Sequence, residues 1–248
     1  MRIPRIYSPV PLSGLAEVEL DESASRHLVK ALRFDAGREI ILFDGFGGEY
    51  RATLTEAGKR ARARLDEFAE GDRQSPLAIE LAIGISRGER FDWVVQKATE
   101  LGVHSIRPLF TERCEVRLKG DRLAKKVQHW QKIAISACEQ CARNLVPAIE
   151  QPQSLREYLQ SGTAGETGRV SLVLHHRTAQ TLAEIQQVRG APASATLLVG
   201  PEGGLSAEEI GSAESAGFQA LALGPRVLRT ETAPVAALSV LQFFWGDF

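Results

Sequence analysis

The sequence predicts an α/β protein: a mostly parallel sheet with helices on both faces, preceded by a small β-barrel. Three observations carry this. Strand, helix and strand alternate between Leu77 and Leu109, the signature of a parallel sheet. Two glycine-bearing loops, Gly200–Gly204 and Leu223–Thr232, each follow a short apolar strand and precede a helix, the place where open α/β sheets bind ligands. The first seventy residues hold several short strands at close spacing, a barrel pattern.

Composition sets the outer limits. The chain has 248 residues, enough for one large or two small domains, and a formal net charge of −1. Bulk charge therefore announces no nucleic-acid partner, and any such surface must be a local patch. Three cysteines fit a reduced cytoplasmic protein. No apolar run reaches membrane-spanning length, and the stretch MRIPRIYSP lacks the apolar core of a signal peptide, so a cytoplasmic protein without membrane contact is expected.

Residues 1–72 form the first expected domain. Strands are predicted at Arg5–Tyr7, Ala16–Leu20, Arg38–Phe43, Glu49–Glu56 and Ala61–Phe68, with Asp44-Gly45 and Gly47-Gly48 marking a turn. One helix runs from about Glu22 to Leu32. Arg26, Lys30 and Arg33 recur at i, i+4 and i+7 on it, and Arg60, Arg62 and Arg64 alternate along a strand. Each stripe reads either as a track for a phosphate backbone or as a solvated charged face.

GDRQSP, residues 71–76, marks the boundary to a second domain, 73–248. A buried strand at Leu77–Ile85 leads to a helix from Glu89, with Phe91, Val94, Val95, Ala98 and Leu101 on one face and Gly102 as its stop. A strand at Val103–Leu109 follows, then a long helix from Gly120 to Arg143. Arg87 and Arg113 leave the carboxyl ends of two strands and are candidates for RNA contact. Cys138 and Cys141 sit at i, i+3 on the long helix and read as core residues, because a structural zinc needs four ligands and no second pair exists. Val170–Leu174 is a further buried strand, after which Thr181 and Glu184 cap a helix. Ala195–Val199 leads into GPEGG, Ser206 and Glu209 form a capping box, and Gly217 closes that helix. The last helix opens at Thr232 and Pro234 and repeats Val235, Leu238, Leu241 and Trp245. Just before it, Val227 and Leu228 place apolar side chains inside a polar loop. A packed loop leaves backbone N–H and C=O groups in need of partners.

LLVGPEGGLS and LGPRVLRTETA together resemble the RsmE family of SPOUT methyltransferases, as do SRGERFDWVVQKATELGVHSIRPL and CEQCAR. The resemblance runs along almost the whole chain. It implies a PUA-like barrel at the start and a trefoil-knotted sheet at the end, a topology no periodicity argument reveals. It implies methylation of N3 of a uridine in 16S ribosomal RNA, with S-adenosylmethionine as cofactor, the small ribosomal subunit as partner, a homodimer as assembly and no metal. With the loop geometry, it assigns cofactor contacts to Leu174, His175, Val199, Gly200, Pro201, Gly203, Leu223, Gly224, Val227, Leu228 and Thr230. RNA contacts fall on Arg2, Arg5, Arg26, His27, Lys30, Arg33, Arg87 and Arg113. For catalysis, Arg226 and Arg229 are expected to stabilise negative charge on the uracil oxygens, with Glu202 or Glu231 as base if burial raises its pKa. Arg229 reads equally as a brace for the loop through Glu231 or helix carbonyls. The alternatives are a SPOUT enzyme methylating a ribose 2′-hydroxyl and a noncatalytic RNA-binding assembly factor.

Overall fold

The fold comes from a computed structural model that describes residues 3–162, 168–175, 178, 180–185 and 191–248, with the backbone alone of 186–189. The chain divides into two compact units. The first comprises Met1–Gln74 and Ile135–Val146; the second comprises Ser75–Ala134 and Pro147–Phe248.

The first unit is built on strands β1 (Arg5–Tyr7), β2 (Glu17–Glu19), β3 (Glu39–Phe43), β4 (Glu49–Glu56) and β5 (Arg62–Ala69), in the order β1-β3-β4-β5-β2. β1 runs parallel to β3 and the other pairs are antiparallel. Two register shifts between β4 and β5 mark bulges, which bend a strand and tighten its twist, so the sheet curls around one core. Leu12, Leu28, Ile40, Leu42 and Leu54 fill that core. The expected helix is in fact two pieces. α1 (Glu22–Arg26) is capped by the Asp21 side chain, and a π-helical turn follows at His27–Ala31. Arg33 lies beyond it with φ +56°, so Arg26, Lys30 and Arg33 do not share a regular α-helical stripe.

A buried polar cluster stitches 135–146 into this unit. The Arg5 guanidinium pairs with Glu49, donates to the Asn144 side chain and stacks over the Phe43 ring at 5.0 Å. Asn144 also donates to the Gly71 carbonyl at 2.7 Å, and Glu139 accepts the Tyr7 N–H at 3.0 Å. Burial raises the Glu139 carboxyl, and that hydrogen bond only partly offsets it. Cys138 is enclosed here as well, and burial pushes its thiol up to about 12.

The second unit follows the expected alternation: β6 (Ala78–Gly84), α2 (Glu89–Glu100), β7 (Ser105–Phe110), α3 (Gly120–Cys141, whose last residues group with the first unit), β8 (Ala148–Ile149), β9 (Gln153–Ser154), α4 (Leu155–Gln160), β10 (Arg169–Leu174), α5 (Leu182–Arg189), β11 (Ser194–Val199), α6 (Ala207–Ser215), β12 (Gln219–Leu221) and α7 (Thr232–Trp245). The strand order is β12-β10-β11-β6-β7-β8, with β9 also on β7, and every pairing is parallel. β6, β10 and β11 are largely buried on both faces because helices cover both. Each fully buried Leu, Ile or Val contributes about 1.5–3 kcal/mol. α7 is fixed by one buried polar side chain: Gln242 accepts from the Ser75 hydroxyl and donates to the Leu101 carbonyl, both at 2.7 Å.

Three elements went unread in the sequence. β8 and β9 are two residues each and have no period to detect. α4 did carry a signal, the Ser154–Glu157 capping box, present with both reciprocal bonds. α3 ends at Cys141, short of Arg143, where Ala142 turns to φ +69°.

Candidate active site

β10, β11 and β12 lie side by side and end at the same edge of the sheet, so the loops that leave them converge. Between them is a cavity of about 580 Å³, lined by Leu174 and His175 after β10, by Gly200–Leu205 after β11, and by Leu221, Leu223, Gly224, Arg226, Val227, Leu228 and Thr230 at the end of β12 and in the loop after it. α6 supplies a fourth wall through Ala207, Ile210, Gly211 and Glu214.

The turn after β11 is held from all sides. The Gly204 N–H donates to the Pro201 carbonyl at 2.8 Å. A Cβ on Gly200 would stand 2.7 Å from the Gly204 carbonyl carbon and the Leu205 nitrogen, so only glycine closes this turn. The Glu202 carboxylate accepts the Arg87 N–H at 2.9 Å and pairs with Arg90 at 3.0 Å. Arg113 donates to the Gly203 carbonyl at 3.0 Å. Glu209 caps α6 and also accepts the Glu112 N–H at 2.8 Å.

The loop after β12 is held only at its ends. The His175 N–H donates to the Leu221 carbonyl at 3.0 Å, and Gly224 turns the chain at φ +86°. At the far end the Thr230 hydroxyl donates to the Gly200 carbonyl at 3.2 Å, and the Arg229 carbonyl accepts from Thr232 and Ala233 to start α7. Among the described residues, no backbone N–H from Gly224 to Thr230 donates to a protein acceptor. Val227 is 76% exposed although apolar. These are the features of a loop that a ligand completes.

The expected cofactor residues line this one cavity, apart from Val199, which is buried in β11 behind it. Arg226 and Glu202 line it, whereas Arg229 and Glu231 do not. The Arg229 side chain is exposed and, among the described residues, makes neither an ion pair with Glu231 nor a hydrogen bond to a helix carbonyl, so neither brace considered for it holds the loop. Glu202 does not suit the role of base. Desolvation raises its carboxyl, but the Arg87 N–H and the Arg90 guanidinium outweigh this and hold it below the usual carboxylate range. One oxygen of Glu231 is buried without a hydrogen-bond partner.

The expected RNA residues separate into groups. Arg26, His27, Lys30 and Arg33 are exposed on the first unit and make no ion pair among the described residues. Arg60, Arg62 and Arg64 face carboxylates instead: Arg60 and Arg62 pair with Glu19 at 2.7 and 3.6 Å, and Arg64 with Asp66 at 2.7 Å. Cross-strand pairing of β2 with β5 sets up the Glu17 and Glu19 partners. Arg5 is no surface contact, since its charge is buried against Glu49 and Asn144. Arg87 is exposed and pairs with Glu115 at 2.7 Å, and Arg113 lines the cavity. Arg2 lies outside the described residues.

The wall from α6 escaped sequence reading. Ala207, Ile210, Gly211 and Glu214 follow i, i+3, i+4, i+7 spacing, but the same spacing marks an ordinary core face. Only the cavity shows that this face lines a site.

The volume falls in the range of small-molecule pockets, and the lining is mostly apolar with a few placed polar groups. Comparison with known proteins agrees. Residues 73–242 match the model of an RNA methyltransferase domain, and residues 20–62 match an RNA methyltransferase PUA domain. The ribosomal RNA small subunit methyltransferase E of Buchnera aphidicola (subsp. Schizaphis graminum) is 34% identical over 99% of this chain and 98% of its own. The chain belongs to the RsmE family. The RsmE of Bacillus subtilis is 32% identical over 88% of this chain and 86% of its own. Among solved structures, the Neisseria gonorrhoeae RsmE bound to S-adenosyl methionine superposes with a TM-score of 0.89 at 41% identity, covering all of both chains. A putative methyltransferase from Legionella pneumophila, in complex with the same cofactor, gives 0.93 at 41% identity, again over both whole chains.

Proposed function

We propose that this protein methylates small-subunit ribosomal RNA from S-adenosylmethionine, at N3 of a uridine, as the family resemblance implies. One observation carries the reading. The loop Gly224–Thr230 presents unpaired N–H groups and apolar side chains to a cavity of cofactor size, opposite a turn that only glycine can close. Relatives that match this chain end to end hold the cofactor in crystals.

Leu174, His175, Gly200, Pro201, Gly203, Leu223, Gly224, Val227, Leu228 and Thr230 would hold S-adenosylmethionine, with Val199 supporting the turn from behind. When bound, that cofactor supplies an electrophilic methyl group on a positively charged sulfur. The protein's part is then to position the base and to manage charge. Uridine N3 becomes nucleophilic as its proton leaves, and negative charge spreads onto O2 and O4. Arg226, at the cavity and free of ion pairs among the described residues, is suited to stabilise that charge. Arg229, exposed beside it in the chain, is suited to hold the RNA strand. Glu202, kept ionised by its two donors, holds the Arg87 backbone in place and leaves the proton to another acceptor.

Arg26, Lys30 and Arg33 serve as the RNA-binding patch of the first unit, because their charges are not already spent on carboxylates, and His27 lies exposed among them. Arg87 and Arg113, at strand ends of the second unit, are candidates for RNA contact in their own right. Phe243, 69% exposed on α7, supports a homodimer formed through that helix. No helix among the described residues is long and apolar enough to cross a membrane. A cytoplasmic location follows from a substrate that is part of the ribosome.

The test is to incubate the protein with undermethylated small subunits and cofactor carrying a labelled methyl group, then digest the RNA and identify the labelled nucleoside by mass. N3-methyluridine is expected. A ribose-methylated nucleoside moves the reaction to the 2′-hydroxyl, and RNA binding without cofactor binding or label turns the protein into an assembly factor.

A further inference from the structure

α6 is short, and its two faces do different things. Ala207, Ile210, Gly211 and Glu214 line the cofactor cavity, while Glu208, Glu209 and Ser212 face a separate groove. Glu214 is poorly placed for the helix itself. It sits in the last turn, where the exposed carbonyls already carry partial negative charge, and no basic residue accompanies it there. It also makes no ion pair among the described residues. The other carboxylate of the cavity, Glu202, is neutralised by Arg90 at 3.0 Å. Glu214 is therefore the carboxylate whose charge remains open to a ligand, and a local rule of helix design is broken in favour of the site.

We propose that Glu214 selects the cofactor by charge, favouring the sulfonium donor over the thioether product. The proposal rests on the function given above. The amino-acid part of either ligand carries one ammonium and one carboxylate, which cancel. The sulfonium gives the donor one net positive charge. Transfer breaks the S–CH₃ bond with both electrons left on sulfur and forms the N–CH₃ bond from the nitrogen's pair, the N3 proton having passed to solvent. The product, S-adenosylhomocysteine, is thus neutral. A carboxylate beside the cavity attracts the ligand before the reaction and has no net charge to hold after it, which favours release. In an open, solvated site of this size one such charge is worth about three- to tenfold in affinity.

The experiment is calorimetric titration of the full-length protein with S-adenosylmethionine and with S-adenosylhomocysteine, for wild type, Glu214→Gln, Glu214→Asp and Glu208→Gln. Thermal melting checks that each variant is folded, and the exposed position of Glu214 leaves the fold intact. Glu214→Gln should weaken the donor about three- to tenfold and leave the product within about twofold. Glu214→Asp should keep the preference, Glu208→Gln should leave both affinities unchanged, and added salt should shrink the wild-type preference. Equal loss for both ligands, no loss for either, or the same change from Glu208→Gln overturns the proposal. Wild type that binds neither ligand overturns the functional reading itself and this proposal with it, whereas wild type that binds both with no preference overturns this proposal alone.

Discussion

The two glycine-bearing loops of the cavity are built in opposite ways. Gly200–Gly204 is closed by its own backbone and tied by Glu202, Arg113 and the α6 cap. Gly224–Thr230 is anchored at its ends and leaves its N–H groups without protein partners among the described residues. One loop is a finished socket and the other is finished by what it binds. The difference teaches where rigidity and recognition would reside: the first loop fixes the position of the cavity, and the second offers the groups that, under the proposed function, the cofactor would pair with.

Changing the socket should do most damage. Gly200→Ala forces a methyl group against two backbone atoms at 2.7 Å, which no rotamer relieves. A loss of about 3 kcal/mol in stability is expected by denaturant titration, together with loss of measurable cofactor binding. Unchanged binding would show that the turn is not held as described. Arg226→Ala comes next. Methyl transfer should fall about a hundredfold or more while cofactor affinity changes little, as read by single-turnover rates beside calorimetry. Equal losses in both would make Arg226 a cofactor ligand instead of a charge stabiliser.

Thr230→Val cuts the tie between the loops, the hydroxyl bond to the Gly200 carbonyl. A neutral bond of this kind is worth about 1 kcal/mol, so cofactor affinity should drop about fivefold, with Thr230→Ser close to wild type. Glu202→Gln is the mildest change. Its carboxyl is held low in the folded protein, so it adds stability above its unfolded pKa that is lost as pH falls through the folded value. The exposed Arg90 pair limits this to less than about 1 kcal/mol. The variant should differ from wild type in stability near neutral pH and converge with it in acid, while retaining most of its methyl transfer. A Glu202→Gln enzyme with no activity would restore Glu202 as the base.

Much of this contrast was legible in the sequence. GPEGG and the apolar pair Val227–Leu228 inside a polar loop mark both loops, and the Ser206–Glu209 box places α6. What the sequence could not reveal was the use made of each charge. Glu202 is a plausible base until Arg87 and Arg90 are seen holding it. Arg5 looks like surface basicity until its partners Glu49 and Asn144 arrive from far along the chain. The Arg60, Arg62 and Arg64 stripe is visible as a pattern, and Arg64 pairs locally with Asp66, but the neutralisation of Arg60 and Arg62 by Glu17 and Glu19 depends on a strand pairing that no local period encodes. The π-helical turn at His27–Ala31 likewise breaks an i, i+4, i+7 stripe that assumes regular α-helix. Long-range pairing decides which charges are spent, and a single sequence carries only the local half of that information.

The most direct test of the central claim is amide hydrogen exchange of the full-length protein with and without S-adenosylmethionine. The account predicts that Gly224–Thr230 gains strong protection when the cofactor binds, while Gly200–Gly204 changes little because its bonds are already made. Protection that appears in Gly200–Gly204 but leaves Gly224–Thr230 exchanging freely would contradict it.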